Sequence, residues 1–447
     1  MKNKRRNHWI SILLIVLTLL IVAGVVVWAL HKPAAAPSEP EASTPAPEEP
    51  SSEETEPSSE EPVPESSEEE PEPEPSSEES IPESSEEEEA SIDESSEEEV
   101  PIEPASKAEQ LLAEMSTYEK VCQLFIVMPH QLTGVYNQTQ AGETSKAALE
   151  KYPVGGFIED ASNMVSQEQV SQMNANLQSY SRIPLFLTLD EEGGRVARLM
   201  ANCGTTWFNA MLTYKDLGPD TARSNAATIG ADIRSCGYNL DLAPVADVWS
   251  NPQNTVIGDR AYSDDFTQAA ELVAAAVQGF HDGQVACTIK HFPGHGDTSA
   301  DSHLGAVYVY KSMEEIREQE LLPFIAGIEA GTDCVMIGHL IITDVEDTPA
   351  LFSHALVTDL LRDELGFSGI IMTDSLQMQA MSDYYSSGEV AVMAIQAGVD
   401  VLLCPMDLDA SIQALQDAIA SGEIPESRID ESVLRILQLK ESLGMLE

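Results

Sequence analysis

Positive charge is scarce in this chain. Its 447 residues carry 23 Lys and Arg against 76 Asp and Glu, a formal net charge of −53. That balance argues against a nucleic-acid partner, because phosphate backbones are held by a basic face. Metal-ligand spacings are missing as well. The six cysteines (Cys122, Cys203, Cys236, Cys287, Cys334, Cys404) form no C-x-x-C pair. Cys122, Cys287, Cys334 and Cys404 fall in or beside apolar runs, where a free thiol acts as a small hydrophobe. The segment GHGDTS (294–299) lacks the spacing and terminal Lys-Ser/Thr of a phosphate loop. No metal and no cofactor is expected.

Basic residues are also absent from positions 33–104, which consist largely of Glu, Ser and Pro with 28 acids. A segment that cannot bury apolar area and repels itself stays disordered and extended. At about 3.1 Å per residue it reaches at most roughly 220 Å, which suits a tether. Before it, Trp9 to Leu30 run for 22 residues without a charge, after Lys2, Lys4, Arg5 and Arg6. Roughly 20 apolar residues span a bilayer as a helix, and the basic flank keeps the N-terminus cytoplasmic. Residues 1–32 are therefore expected to be a basic stub and single-pass transmembrane anchor, with the rest of the chain outside the cell membrane. Secretion after signal cleavage is the alternative, although signal h-regions are usually only about 7–15 residues long.

Residues 105–447 form the third region and retain a net charge of roughly −30. Eight short apolar runs recur there: 124–128, 154–159, 184–190, 238–248, 286–292, 334–340, 369–375 and 401–405. Amphipathic stretches such as SMEEIREQELLPFIAGIEA (312–330) separate them. Strands alternating with helices imply parallel βαβ units, and near-continuous apolar strands imply burial on both faces. The fold class is α/β, and eight such units predict a single (β/α)₈ TIM-type barrel. Asp190, Lys290, His291, His339 and Asp374 stand at or near run ends, on the rim where such barrels place catalytic groups. Nothing in the composition fixes an oligomeric state.

The densest cluster is KHFPGHGDTSADSH (290–303), with three of the nine histidines. A Pro-Gly loop separates these histidines, so no helical i, i+4 zinc pair arises. Asp301 and His303 lie two apart. An aspartate bonded to an imidazole fixes its tautomer and raises its basicity, which prepares it for proton transfer near neutral pH.

With LDEEGGRVARL (189–199), NLDLAPVADVWSNPQNTVIGDRAYSDD (239–265), IKHFPGHGDTSADSHLGAV (289–307), DELGFSGIIMTDSLQM (363–378) and AGVDVLLCP (397–405), the chain resembles family 3 glycoside hydrolases. The likeness is to the β-N-acetylglucosaminidase branch that acts on cell-wall fragments. The resemblance implies a retaining exo-enzyme in which Asp374 is the nucleophile and His303 with Asp301 the acid/base dyad. It further implies that Asp190, Arg198, Arg260, Lys290 and His291 bind the sugar, an amino-sugar glycan or muropeptide. Alternatives on the same barrel are a β-glucosidase or β-xylosidase, or a phosphorylase. A catalytically idle wall-binding module is the reading from another class. Arg198 could instead be a surface helix residue, and Arg260 could pair with Asp259. His295 is expected to shape its loop.

Overall fold

The computed structural model describes residues 105–298, 307–378 and 384–446. The expected anchor and linker lie outside these residues, as do Asp301 and His303. Among the described residues no helix is long and apolar enough to cross a membrane.

Each of the eight apolar runs contains one barrel strand. These are β1 (Phe125–Val127), β2 (Gly156–Ile158), β3 (Phe186–Leu189), β4 (Leu240–Asp241), β5 (Ala286–Phe292), β7 (Cys334–Ile337), β9 (Ile370–Thr373) and β10 (Leu402–Leu403). All pair in parallel in the order β10-β1-β2-β3-β4-β5-β7-β9. A Met372–Val401 bridge joins β9 to the residue before β10 and nearly closes the barrel. The strands are short and almost wholly buried, as expected where helices cover one face and barrel side chains the other.

Two features depart from the sequence expectation. Run 238–248 supplies only a two-residue strand, after which Val245 makes an isolated bridge to Lys290. Run 334–340 divides: β7 ends at Ile337, and β8 (Leu340–Ile342) pairs in parallel with β6 (Val307–Val309) outside the barrel. Gly338 lies in the turn between β7 and β8, where a Cβ would sit 3.1 Å from that of His291.

The helices start on a recurrent local signal. Ser106, Ser116, Ser312 and Ser386 each precede a Glu by three residues and form reciprocal capping boxes with it. Each such cap stabilises a helix start by about 1 kcal/mol. Helices Pro219–Ser235 and Phe266–Asp282 pack closely through glycine: a Cβ on Gly279 would lie 2.3 Å from the Arg223 carbonyl oxygen. All six cysteines are unpaired; five are buried and Cys203 is half-buried, consistent with core thiols.

Candidate active site

The strand ends surround one cavity of about 760 Å³, within the roughly 300–1,000 Å³ usual for small-molecule sites. Asp190, Arg198, Arg260, Lys290, His291 and Asp374 all line it. The structure thus brings together every sequence-predicted site residue that it describes.

Asp190 follows β3 directly, and the turn after it sorts three consecutive acids. Gly193 and Gly194 take φ of 97° and 57°, and a Cβ on Gly194 would come within 2.7 Å of the Ala210 Cα. Glycine is required by both the conformation and the space. Glu191 turns away from the cavity and accepts the backbone N–H groups of Arg198, Leu199 and Met200 at 2.5–2.9 Å, capping helix Leu199–Cys203. Asp190 and Glu192, two residues apart, both face Lys290 Nζ at 2.7 Å.

These groups form a charge network around buried Lys290 and Glu192. Arg260 donates to Glu192 through Nε and Nη2, each at 2.8 Å, and Arg198 Nη2 stands 3.6 Å from Asp190 Oδ2. Burial alone would raise the Glu192 pKa, but Arg260 and Lys290 hold it well below the usual carboxylate range. Burial likewise pushes Lys290 down, and Asp190 and Glu192 more than restore it, leaving it raised. Arg260 therefore pairs with Glu192, while Asp259 pairs with Arg195 at 2.8 Å. Arg198 is the N-cap residue of its helix and a cavity residue, not a free surface group.

Strict alternation along β5 would send Lys290 and His291 to opposite faces. The register shifts between them: Lys290 pairs with Met336, Phe292 with Ile337, and His291 has no opposite number. This bulge re-aims a side chain, and both residues reach the cavity. Buried Asp247 then orients the histidine. Its Oδ2 lies 2.6 Å from His291 Nδ1, and its Oδ1 accepts the His291 and His295 backbone N–H groups at 3.2 and 2.7 Å. Burial would raise the Asp247 pKa, but the histidines keep it lowered.

The loop after β5 is fixed tightly. Asn254 donates to the His295 carbonyl at 2.7 Å, and the His295 Nδ1 meets Thr298 Oγ1 at 2.8 Å. His295 also lines the cavity, so it touches substrate space as well as shaping the loop. Burial lowers its pKa. A Cβ on Gly296 would fall 1.6 Å from the Val248 carbonyl oxygen, so only glycine fits there.

Asp374 follows β9. Its backbone N–H donates to the Ile337 carbonyl at 3.0 Å, and its Oδ1 accepts the Ser375 N–H at 2.7 Å. Desolvation favours its neutral form, but His291, His339, the Ser375 N–H and Lys290 outweigh that and lower its pKa. An ionised carboxylate in a cavity lined by cations and hydrogen-bond donors is suited to attack an electrophilic carbon. Buried His339 closes this side, with Nε2 2.9 Å from the Ser375 carbonyl oxygen.

Sequence reasoning did not identify Glu192 or Asp247. Glu192 sits in the quoted LDEEGGR motif, and its two-residue spacing from Asp190 was the available signal. Asp247 lay inside an apolar run and carried no local signal. A separate group, His281 Nε2, Cys287 Sγ and Asp333 Oδ2, lies with its atoms within 4.8 Å of one another near the opposite strand ends. Hydrogen bonds from His281 and from the Cys287 N–H, both 2.9 Å, already engage that aspartate oxygen.

Comparison with known proteins places this geometry in context. Residues 116–439 match the family described as the glycosyl hydrolase family 3 N-terminal domain. A beta-hexosaminidase A of Pseudoalteromonas piscicida is 33% identical over 325 residues, which cover 66% of this chain and 54% of that protein. A beta-hexosaminidase of Xanthomonas euvesicatoria is 33% identical over 293 residues, covering 62% and 85% respectively. The solved structure of a glycoside hydrolase family 3 beta-N-acetylglucosaminidase from Paenibacillus sp. str. FPU-7 superposes with a TM-score of 0.70 at 37% identity, over 74% of this chain and 63% of that one. The chain thus spans little more than half of the first relative and under two thirds of the Paenibacillus protein.

Proposed function

The chain belongs to glycosyl hydrolase family 3, and from that premise we propose that it is a retaining exo-β-N-acetylglucosaminidase acting on cell-wall fragments. The observation that carries this reading is Asp374, a carboxylate kept ionised in the cavity beside Lys290, His291 and Asp190. The named relatives are hexosaminidases, which supports an N-acetylated sugar.

In the proposed reaction, Asp190, Lys290, Arg198 and Arg260 hold the hydroxyls of the terminal sugar. Asp374 attacks the anomeric carbon as the bond to the leaving oxygen breaks, and forms a glycosyl ester. His303, paired with Asp301, gives its proton to that oxygen. It then takes one from the water that cleaves the ester. His303 donates as the imidazolium and returns to neutral imidazole, so in neither form does it set a second anion beside Asp374, which would raise carboxylate pKa values. The dyad rests on the resemblance of KHFPGHGDTSADSH. Anchoring outside the membrane rests on the uncharged run from Trp9 to Leu30 and its basic flank.

Turnover of aryl glycosides tests the reading. N-acetyl-β-glucosaminides should be cleaved in preference to glucosides and xylosides, giving free sugar with or without phosphate. Preference for a plain sugar, or a glycosyl phosphate product, would replace the proposal with one of its alternatives. His303→Ala should cost least on substrates with good leaving groups, since these need little protonation. Equal loss across leaving groups removes His303 as the acid.

A further inference from the structure

The barrel end opposite Asp374 brings together the imidazole, thiol and carboxylate of His281, Cys287 and Asp333. His281 stands in the last turn of helix Phe266–Asp282, Cys287 is the second residue of β5, and Asp333 directly precedes β7. Parallel pairing sets Thr288 beside Cys334, which brings the starts of the two strands together. Nothing in the proposed hydrolysis uses these three side chains.

Their ligand atoms converge. His281 Nε2 lies 2.9 Å from Asp333 Oδ2 and 4.0 Å from Cys287 Sγ, and all three atoms fall within 4.8 Å of one another. Bonds of about 2.0–2.3 Å to a tetrahedral zinc ion set its ligand atoms roughly 3–4 Å apart, so one ion fits here with small side-chain shifts. The surroundings suit a bound cation. The Cys287 N–H donates to Asp333 Oδ2 at 2.9 Å and fixes the carboxylate, as ligating carboxylates are usually fixed. The Thr332 hydroxyl lies 3.7 Å from the sulfur. An entry path is open as well: the His281 side chain is 38% exposed, and Asp333 lines a surface groove of about 360 Å³ with Gly331 and Thr332. Cys287 itself is buried, which shields the sulfur from bulk solvent.

We infer that His281, Cys287 and Asp333 form a zinc site whose fourth position is open to solvent. Nitrogen, sulfur and oxygen donors together suit zinc, whereas calcium and magnesium take oxygen alone. On binding, the Zn–S bond forms as the S–H bond breaks, and the proton leaves to water. The hydrogen bond between His281 and Asp333 gives way to a bond from each to the metal. The ion ties a helix end to the starts of two barrel strands, so it stabilises the fold and takes no part in hydrolysis. Its ligands are six and 46 residues apart along the chain, which is why no cysteine spacing in the sequence marks them.

Cobalt(II) titration of the full chain, first stripped with EDTA, tests the site, because thiolate bound to cobalt absorbs in the near ultraviolet. One thiolate–cobalt band per chain should develop, and zinc should displace it. Cys287→Ser should abolish the band. His281→Gln, at a partly exposed position, should weaken binding at least about tenfold, the loss seen when even an outer partner of a metal site is removed; it carries the test if Cys287→Ser fails to fold. Zinc should also raise the Tm of the wild-type chain more than that of His281→Gln. Cobalt bound without a thiolate band places the metal elsewhere, such as the histidine-lined catalytic cavity, and overturns the assignment. A band that survives Cys287→Ser, or an affinity unchanged by His281→Gln, overturns it too.

Discussion

Replacing Lys290 with Met probes the charge network directly. The side chain is 2% exposed, and its Nζ lies 2.7 Å from both Asp190 Oδ1 and Glu192 Oε1. Methionine keeps most of the packed volume, so the cost is chiefly that of leaving buried Glu192 and half-buried Asp190 without their shared cation. Removing one partner of a buried pair costs about 3–5 kcal/mol. Arg260 still holds Glu192 through two nitrogens, which places the expected loss near the lower end, about 3 kcal/mol. Urea unfolding at pH 7 measures it. The pH dependence follows from the two shifts. Glu192, held low in the folded state, contributes stability that is present above its unfolded pKa and lost as pH falls. Without Lys290 it protonates at higher pH, so the gap between wild type and variant should narrow below about pH 4. Lys290 itself is raised when folded, so its contribution is complete below its unfolded pKa and fades as pH rises through the folded one. The gap should narrow there too. A gap under about 1 kcal/mol at pH 7, or one that widens in acid, refutes a stabilising role for this network.

Other perturbations have defined outcomes. Lys440 is fully buried, donates to Gln123 Oε1 at 2.8 Å and the Gly155 carbonyl at 3.1 Å, and is pushed down by burial to about 7. The unfolded chain then binds the extra proton between about pH 7 and 10, so wild-type stability should gain on Lys440→Met across that range by up to about 1.4 kcal/mol per pH unit. A pH-independent difference in Tm contradicts this. Gly296→Ala sets a methyl against the Val248 carbonyl oxygen and should destabilise the fold by about 1–3 kcal/mol in urea unfolding; wild-type stability would show that the loop yields freely. Asp247→Asn removes the charge facing His291 Nδ1. It should lower kcat/KM at least about tenfold, since hydrogen bonds to charged groups contribute about 1.5–3 kcal/mol; unchanged kinetics would leave His291 oriented by other contacts.

Much of the barrel was legible because burial on both faces turns each strand into an apolar run. All eight runs contain a strand, from Phe125 to Leu403. Run 238–248 looked as strand-like as the others, yet its regular strand ends at Asp241 and beyond it only scattered bonds to the neighbouring strands remain, such as Ala246 N–H to the Lys290 carbonyl; apolar character records burial and not regular pairing. The β6–β8 pair gave no such signal. At the site, strand-end position was enough to find Asp190, Lys290, His291 and Asp374. How Lys290 and His291 share one cavity depends on a one-residue register shift with Met336 and Ile337, which no local pattern reveals. The partnerships of Arg260 with Glu192 and of His291 with Asp247 join residues 68 and 44 positions apart. Contacts of that range arise from closure of the barrel and leave no mark in short motifs.

The central claim is that Asp374 becomes covalently glycosylated. Incubation with an activated 5-fluoro-N-acetylglucosaminyl reagent, followed by intact mass and peptide mapping, tests it most directly. The account predicts a single added glycosyl unit on the peptide that contains Asp374, and no adduct with Asp374→Asn. An adduct on another residue, or continued turnover by Asp374→Asn, would contradict it.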